Sequence, residues 1–114
     1  MTLEEFYGLS GGNFEDVKSR LGNTEMIEKF VKKFVLDDSF ERLKNRLCEN
    51  DVKQAFRAAH TLKGICLNLG FDSLYKPVCE ITELLRVGDG KSAKNVFPEL
   101  KKCYTELVTL AEKL

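Results

Sequence analysis

Apolar residues recur at spacings of three and four along most of the chain, and β-branched residues do not alternate over any useful stretch. This is the period of helices rather than of strands. Short polar or glycine-containing loops separate the periodic segments, and short loops favour antiparallel neighbours. The pattern predicts an all-α fold: an antiparallel up-and-down four-helix bundle with a short N-terminal helical extension, forming one domain over residues 1–114.

Capping residues mark the helix starts in the N-terminal half. The first of them, Thr2, stands three residues before Glu5, as in a capping box. The further start signals are Asn13, Asn23 and Asp38. The stop signals are Gly11-Gly12 and Gly22. Because Asp38 with Glu41 resembles a second start, the region after Asn23 is either two helices or one kinked helix.

A long helix over residues 52–69 is the clearest element of the C-terminal half. Asp51 with Gln54 predicts a capping box at its N-terminus. Gly70 is the residue expected to end it.

Two proline-containing helices are predicted to follow. The first runs from Asp72 to about Arg86, and Pro77, one turn inside it, is expected to bend its start. The last helix ends at Leu114. Pro98 either begins that helix or breaks a leading turn from it.

The helix over residues 52–69 has two different faces when its residues are placed about 100° apart around the axis. One arc of roughly 120° is apolar and is predicted to face the core. It consists of Ala55, Ala58, Ala59, Leu62, Ile65, Cys66 and Leu69. The opposite face carries the only histidine of the chain, His60. Around it lie Phe56, Arg57, Lys63, Gly64, Leu67 and Asn68.

The residues of this outer face indicate docking and chemistry. A glycine inside a helix costs about 1 kcal/mol relative to alanine. Gly64 is not on the core stripe, so we interpret it as clearance that lets another protein reach His60. Phe56 and Leu67 bracket the histidine as a small docking patch, unless a neighbouring helix covers them. Lys63 lies within reach of the imidazole and can stabilise negative charge on it. The plain alternative is an incidental surface histidine beside an ordinary surface lysine.

Charge and composition narrow the class of protein. Lysine plus arginine equals aspartate plus glutamate at 18 each, which gives no electrostatic case for nucleic acid or an anionic membrane. No apolar run is long enough to span a bilayer, and the acidic N-terminus lacks the pattern of a signal peptide, so the cytoplasm is expected. The four cysteines form no CxxC pair, which argues against a zinc site. We expect their side chains to be buried as small hydrophobic groups. These cysteines are Cys48, Cys66, Cys79 and Cys103.

The segment AAHTLKG over residues 58–64, followed by NLG over residues 68–70, resembles the phosphorylation motif of histidine-phosphotransfer (HPt) domains. The intervening residues 65–67 are bulkier than is common in that family. The resemblance continues into the next helix at Leu74, Cys79, Ile81 and Leu84. The N-terminal MTLEEFYG also resembles the start of some single-domain bacterial members, so the resemblance covers nearly the whole chain.

The resemblance implies a phosphocarrier in a two-component phosphorelay. A receiver-domain aspartyl phosphate would donate its phosphoryl group to His60, which would pass it to another receiver. Lys63 would support the phosphoryl group and Gly64 would give the receiver access. Family members often place Gln or Glu near the histidine on the next helix. Here Thr82 occupies that position, and its shorter hydroxyl, together with Asn68, is the expected supporting group.

The implied partners are response-regulator receiver domains, with a hybrid histidine kinase as a further candidate. They would dock on Phe56, Arg57 and Leu67. Mg²⁺ is expected on the receiver, with no cofactor or metal on this chain. Nothing resembles a nucleotide-binding loop, so a carrier without an ATP site is expected rather than an enzyme. A monomer is also expected.

Three other functions are open to the same sequence. A bundle that only binds a receiver or kinase would keep the docking patch without transfer, and the substitution at Thr82 leaves room for it. A metal- or haem-binding bundle needs several inward-facing ligands, which one outward histidine does not supply. A hydrolase using His60 as a base needs a partner nucleophile and an enclosed pocket, and neither can be argued from the sequence.

Overall fold

The computed structural model describes residues 1–114, and all of its regular elements are helices, which confirms the predicted all-α class. The seven helices are α1 (Leu3–Ser10), α2 (Phe14–Leu21), α3 (Thr24–Leu36), α4 (Ser39–Cys48), α5 (Val52–Leu69), α6 (Asp72–Arg86) and α7 (Gly90–Ala111). The most extensive helix–helix contacts join α4 to α5, α5 to α6 and α6 to α7. None of the seven is long and apolar enough to cross a membrane.

The side-chain caps fix where the early helices begin. The Thr2 hydroxyl accepts a hydrogen bond from the Glu5 amide at 3.2 Å, and the Glu5 carboxylate accepts one from the Thr2 amide at 3.2 Å. Asn13 and Asn23 accept from amides three residues on, at 3.0 and 2.8 Å. These bonds satisfy amides that the first helical turn leaves without partners. The predicted starts of α1, α2 and α3 are therefore confirmed.

The region after Asn23 is two helices, but the capping side chain is not the predicted one. The Asp37 carboxylate accepts a hydrogen bond from the Ser39 amide at 2.9 Å. Asp38 makes no capping bond, and its carboxylate pairs with Arg42 at 3.1 Å instead. Asp37 is also where α3 ends, so adjacent aspartates end one helix and begin the next.

Both predictions for Pro98 are wrong, because α7 runs unbroken from Gly90 through Pro98. Contacts on the N-terminal side of the proline hold that part of the helix. Ala93 is fully buried, and the ring of Phe97 stacks on Phe40 with 5.6 Å between centroids. This packing outweighs the hydrogen bond that a proline removes from a helix interior. The helix ends at Ala111, three residues before the expected end.

The N-terminal extension, which consists of α1 and α2, holds the C-terminal end of α5. The last carbonyls of a helix have no partners within it. The Tyr7 hydroxyl donates to the Leu69 carbonyl at 2.6 Å, and burial raises the pKa of this phenol. Arg20 donates to the carbonyls of Leu67 and Asn68 at 3.0 and 3.1 Å. The backbones approach so closely here that a side chain at Gly12 would overlap the carbonyl of residue 70.

We expect Tyr7→Phe to destabilise the chain by about 1–2 kcal/mol, because the buried Leu69 carbonyl loses its donor. Urea unfolding followed by circular dichroism measures the change. Tyr104→Phe is the matched control, since its ring stacks on Phe40 at 4.0 Å and its hydroxyl makes no hydrogen bond. Equal stability changes in the two variants would contradict this role for Tyr7.

Candidate functional site

The two faces of α5 separate in the structure almost as the helical wheel predicts. The core stripe is buried except for Ile65, which is half-buried. On the opposite face the exposed residues are Arg57, His60, Gly64, Leu67 and Asn68. Phe56 and Lys63 are half-buried at the edges of that face. The structure therefore brings together on one open surface all the predicted site residues of α5.

His60 lies against an aromatic ring that is itself covered by a cation. The rings of Phe56 and His60 are stacked, with 5.9 Å between centroids and 12° between planes. The guanidinium carbon of Arg86 lies 5.0 Å from the centroid of the Phe56 ring. Arg86 also bonds the Glu83 carboxylate at 3.0 Å. Because Arg86 comes from the end of α6 and Phe56 from the start of α5, these two helices run antiparallel.

Arg86 is not among the residues that the sequence predicts for this site. Arg86 is the last residue of α6, where a cation is ordinary because the helix dipole favours it. Antiparallel pairing of α5 with α6 was the signal that would have found it, since that pairing brings the end of α6 beside Phe56.

Gly64 has no packing reason to be glycine. A Cβ built on it would meet nothing within 4 Å, and its backbone is helical with φ in the ordinary range. Any larger side chain would extend into the open space beside His60. The structure thus supplies the geometry on which the clearance interpretation depends.

Lys63 is a free cation one turn from His60, since its ammonium makes no ion pair or hydrogen bond. No acidic residue occurs in α5, whereas Lys53, Arg57 and Lys63 do. The side chain of Asn68 is exposed and makes no hydrogen bond, whereas its backbone carbonyl accepts one from Arg20. The charged side chains that α5 contributes around the histidine are therefore all positive, which favours an anionic group there.

The structure does not bring Thr82 to the histidine, which corrects the supporting role expected for it. Thr82 is fully buried, and its hydroxyl donates to the Val78 carbonyl at 2.6 Å. A short side chain on the inner face of α6 satisfies its polar group within its own helix. Glu83, the next residue, is exposed but is bonded by Arg86.

The prediction of buried cysteines is right for Cys66 only. Cys48 is exposed, and Cys79 and Cys103 are half-buried. Cys48 is the last residue of α4, where the chain turns at the surface into the loop before α5. Burial raises the pKa of the Cys66 thiol, and the neighbouring Cys79 adds to the effect.

Alkylation by iodoacetamide is expected to reach Cys48 first and Cys66 last, because the reagent needs an exposed thiolate. Timed labelling at neutral pH followed by peptide mass spectrometry gives the order. Labelling in urea is the control, since all four thiols should then react alike. Equal rates for Cys48 and Cys66 in the folded chain would contradict the burial of Cys66.

No group of three or more His, Cys, Asp or Glu side chains in the structure could hold a metal ion. The site is thus built from one imidazole, nearby cations and apolar side chains. An imidazole has the lone pair that a nucleophile or a general base requires.

Comparison with known families assigns this class of protein. The family model of the Hpt domain matches residues 25–110, which includes nearly all of α3 and α7 and the whole of α4 to α6. The chain belongs to the Hpt family, whose members are histidine-containing phosphotransfer modules of phosphorelays and interact with receiver domains and kinases. The first two helices lie outside the matched residues. No curated protein and no solved structure gives a significant match.

Proposed function

We propose that the chain is a phosphocarrier that accepts a phosphoryl group on His60 from a receiver-domain aspartate and passes it to another receiver. One observation carries the proposal: the only histidine of an Hpt-family chain is exposed on α5, with the free cation of Lys63 and the open position at Gly64 within about one turn.

The chemistry needs little beyond position and charge. A ring nitrogen of neutral His60 attacks the phosphorus, the N–P bond forms, and the P–O bond to the receiver aspartate breaks, so the aspartate leaves as a carboxylate. The ammonium of Lys63 offsets the negative charge of the phosphoryl group. The reverse sequence of bond changes gives the group to the aspartate of a second receiver. Mg²⁺ belongs to the receiver in both steps.

Docking is proposed on the exposed face of α5. Leu67 is 61% exposed and Phe56 is half-buried, so each offers apolar surface beside the histidine. Arg57 adds a charge to the rim of this patch, as in interfaces with an apolar centre and a polar edge. Asn68 stands at the far end of the patch as a supporting hydrogen-bond donor.

The finer architecture also belongs to this proposal. We propose the antiparallel four-helix bundle of the family, because consecutive helices pack together and α5 and α6 run antiparallel. The chain acts as a cytoplasmic monomer, with a hybrid histidine kinase as a further partner.

A binding module without transfer is the second candidate, and the position of Thr82 favours it. With Thr82 buried, α6 offers no threonine hydroxyl to the imidazole. Such a module would bind a receiver but take no phosphoryl group from it.

A two-step transfer assay separates these candidates. A panel of receiver domains is phosphorylated with acetyl phosphate and mixed with the chain, and the labelled chain is then isolated and offered to unphosphorylated receivers. A carrier takes up acid-labile, base-stable label and loses it to a second receiver. If the chain binds receivers but takes up label from none of them, only the function of a binding module remains. Label taken up from ATP alone would contradict a carrier without an ATP site.

A further inference from the structure

The imidazole of His60 is held from one side by a stack that spans two helices. In a helix a side chain points back toward the residue four positions earlier. Phe56 occupies that position, and its ring lies 5.9 Å from the imidazole with 12° between planes. Both values fall in the range of offset-stacked aromatic pairs. An exposed histidine would otherwise be free to change rotamer.

Phe56 is itself fixed from α6. The guanidinium carbon of Arg86 lies 5.0 Å from the Phe56 centroid, which is within the range of a cation–π contact. Arg86 is held in turn by the Glu83 carboxylate, at 3.0 Å. An arginine held by a carboxylate loses little further freedom when it covers the ring, which favours the contact although Arg86 is exposed.

We propose that Phe56 and Arg86 are positioning residues for His60, which rests on the proposed phosphocarrier function. Phe56 holds the imidazole plane in one orientation, and Arg86 holds Phe56. The ring nitrogens then meet an incoming phosphoryl group without first losing rotamer freedom. In-line transfer depends on such alignment, because small displacements of reacting atoms cost rate.

The sole histidine allows the stack to be observed without any transfer reaction. The His60 ring protons are the only imidazole signals of the chain and can be followed by NMR. Stacking on Phe56 displaces these signals from those of a histidine in an unstructured peptide. We expect Phe56→Leu to remove the displacement, Phe56→Tyr to retain it, and Arg86→Met to reduce it.

Transfer is measured on the same variants with phosphoramidate, a small donor that needs no docking surface. Its P–N bond breaks as the His60 N–P bond forms, and ammonia leaves. We expect labelling to slow about threefold to tenfold in Phe56→Leu, from the strength of an aromatic pair. Arg86→Met should slow labelling less than Phe56→Leu does, and Phe56→Tyr should be labelled at about the wild-type rate.

Arg42→Met is the matched control for the loss of an exposed arginine. Arg42 holds a carboxylate at 3.1 Å as Arg86 does at 3.0 Å, but it covers no aromatic ring. This control should change neither the His60 signals nor the labelling rate. Should Phe56→Leu fail to fold, Phe56→Tyr and Arg86→Met still decide the question.

Three results would overturn the proposal. Undisplaced His60 signals in the wild-type chain would show that the stack does not exist in solution. Slower labelling of Arg86→Met with unchanged His60 signals would show that Arg86 acts by its charge alone. A wild-type chain that shows the displaced signals but takes no label would refute the phosphocarrier function, and with it the positioning role, while leaving the stack itself established.

Discussion

The His60→Gln variant is expected to take up no phosphoryl group from any receiver that labels the wild-type chain. Glutamine is similar in size and polar, but its amide nitrogen has no free lone pair with which to attack phosphorus. His60 is the only histidine, so no second imidazole can replace it. The loss should therefore be complete rather than partial.

The fold of this variant should survive, because the His60 side chain is exposed and makes no hydrogen bond to the rest of the chain. Surface substitutions of this kind change stability by about 0.5 kcal/mol or less. A thermal melt serves as the control beside the labelling assay. Acid-labile label that persists in a folded His60→Gln chain would refute the assignment of the phosphoacceptor.

The second large effect is expected at Gly64. Gly64→Gln places a long side chain in the space through which a receiver reaches His60, and we expect transfer from receivers to slow about a hundredfold. Labelling by phosphoramidate should be much less affected, because that donor is small. Comparing the two donors distinguishes an effect on receiver docking from an effect on the nucleophilicity of the imidazole.

Gly64→Ala is the matched control for this position. Its Cβ meets nothing within 4 Å, so the variant should fold, gain about 1 kcal/mol of stability and transfer faster than Gly64→Gln. Receiver transfer in Gly64→Gln at the wild-type rate would remove the clearance argument. A comparable loss with phosphoramidate would show that the side chain disturbs the imidazole itself.

Local signals predicted most of the helices because each signal is a short-range interaction. Capping bonds join residues three apart, so Thr2, Asn13 and Asn23 were sufficient to locate helix starts. Pro98 was mispredicted because its cost is opposed by the packing of the neighbouring Phe97 on Phe40, a contact between residues that are distant in sequence. Asp37 and Asp38 are adjacent and chemically equal, so the choice between them depended on chain geometry.

The site was predictable where one helix carries it. The periodicity of α5 alone placed His60, Gly64 and Leu67 on its outer face. The residues that α6 contributes were not predictable in this way, because their positions depend on the rotation of α6 about its own axis. Thr82 consequently lies in the core, and Arg86 reaches the Phe56 ring.

The hydrogen bonds from the N-terminal extension also depend on tertiary structure. Tyr7 and Arg20 bind carbonyls more than forty residues away along the chain, at the end of the helix that carries His60. No helical period or capping pattern encodes such a contact. The first two helices thus stabilise α5 although they lie outside the residues matched by the family.

The decisive measurement is the location of the phosphoryl group on the wild-type chain. The chain is labelled by a phosphorylated receiver, digested under alkaline conditions that preserve phosphohistidine, and sequenced by mass spectrometry with electron-transfer fragmentation. We expect the phosphoryl group on His60 and nowhere else. A phosphoryl group on another residue, or an unmodified His60 in a chain that carries label, would contradict it.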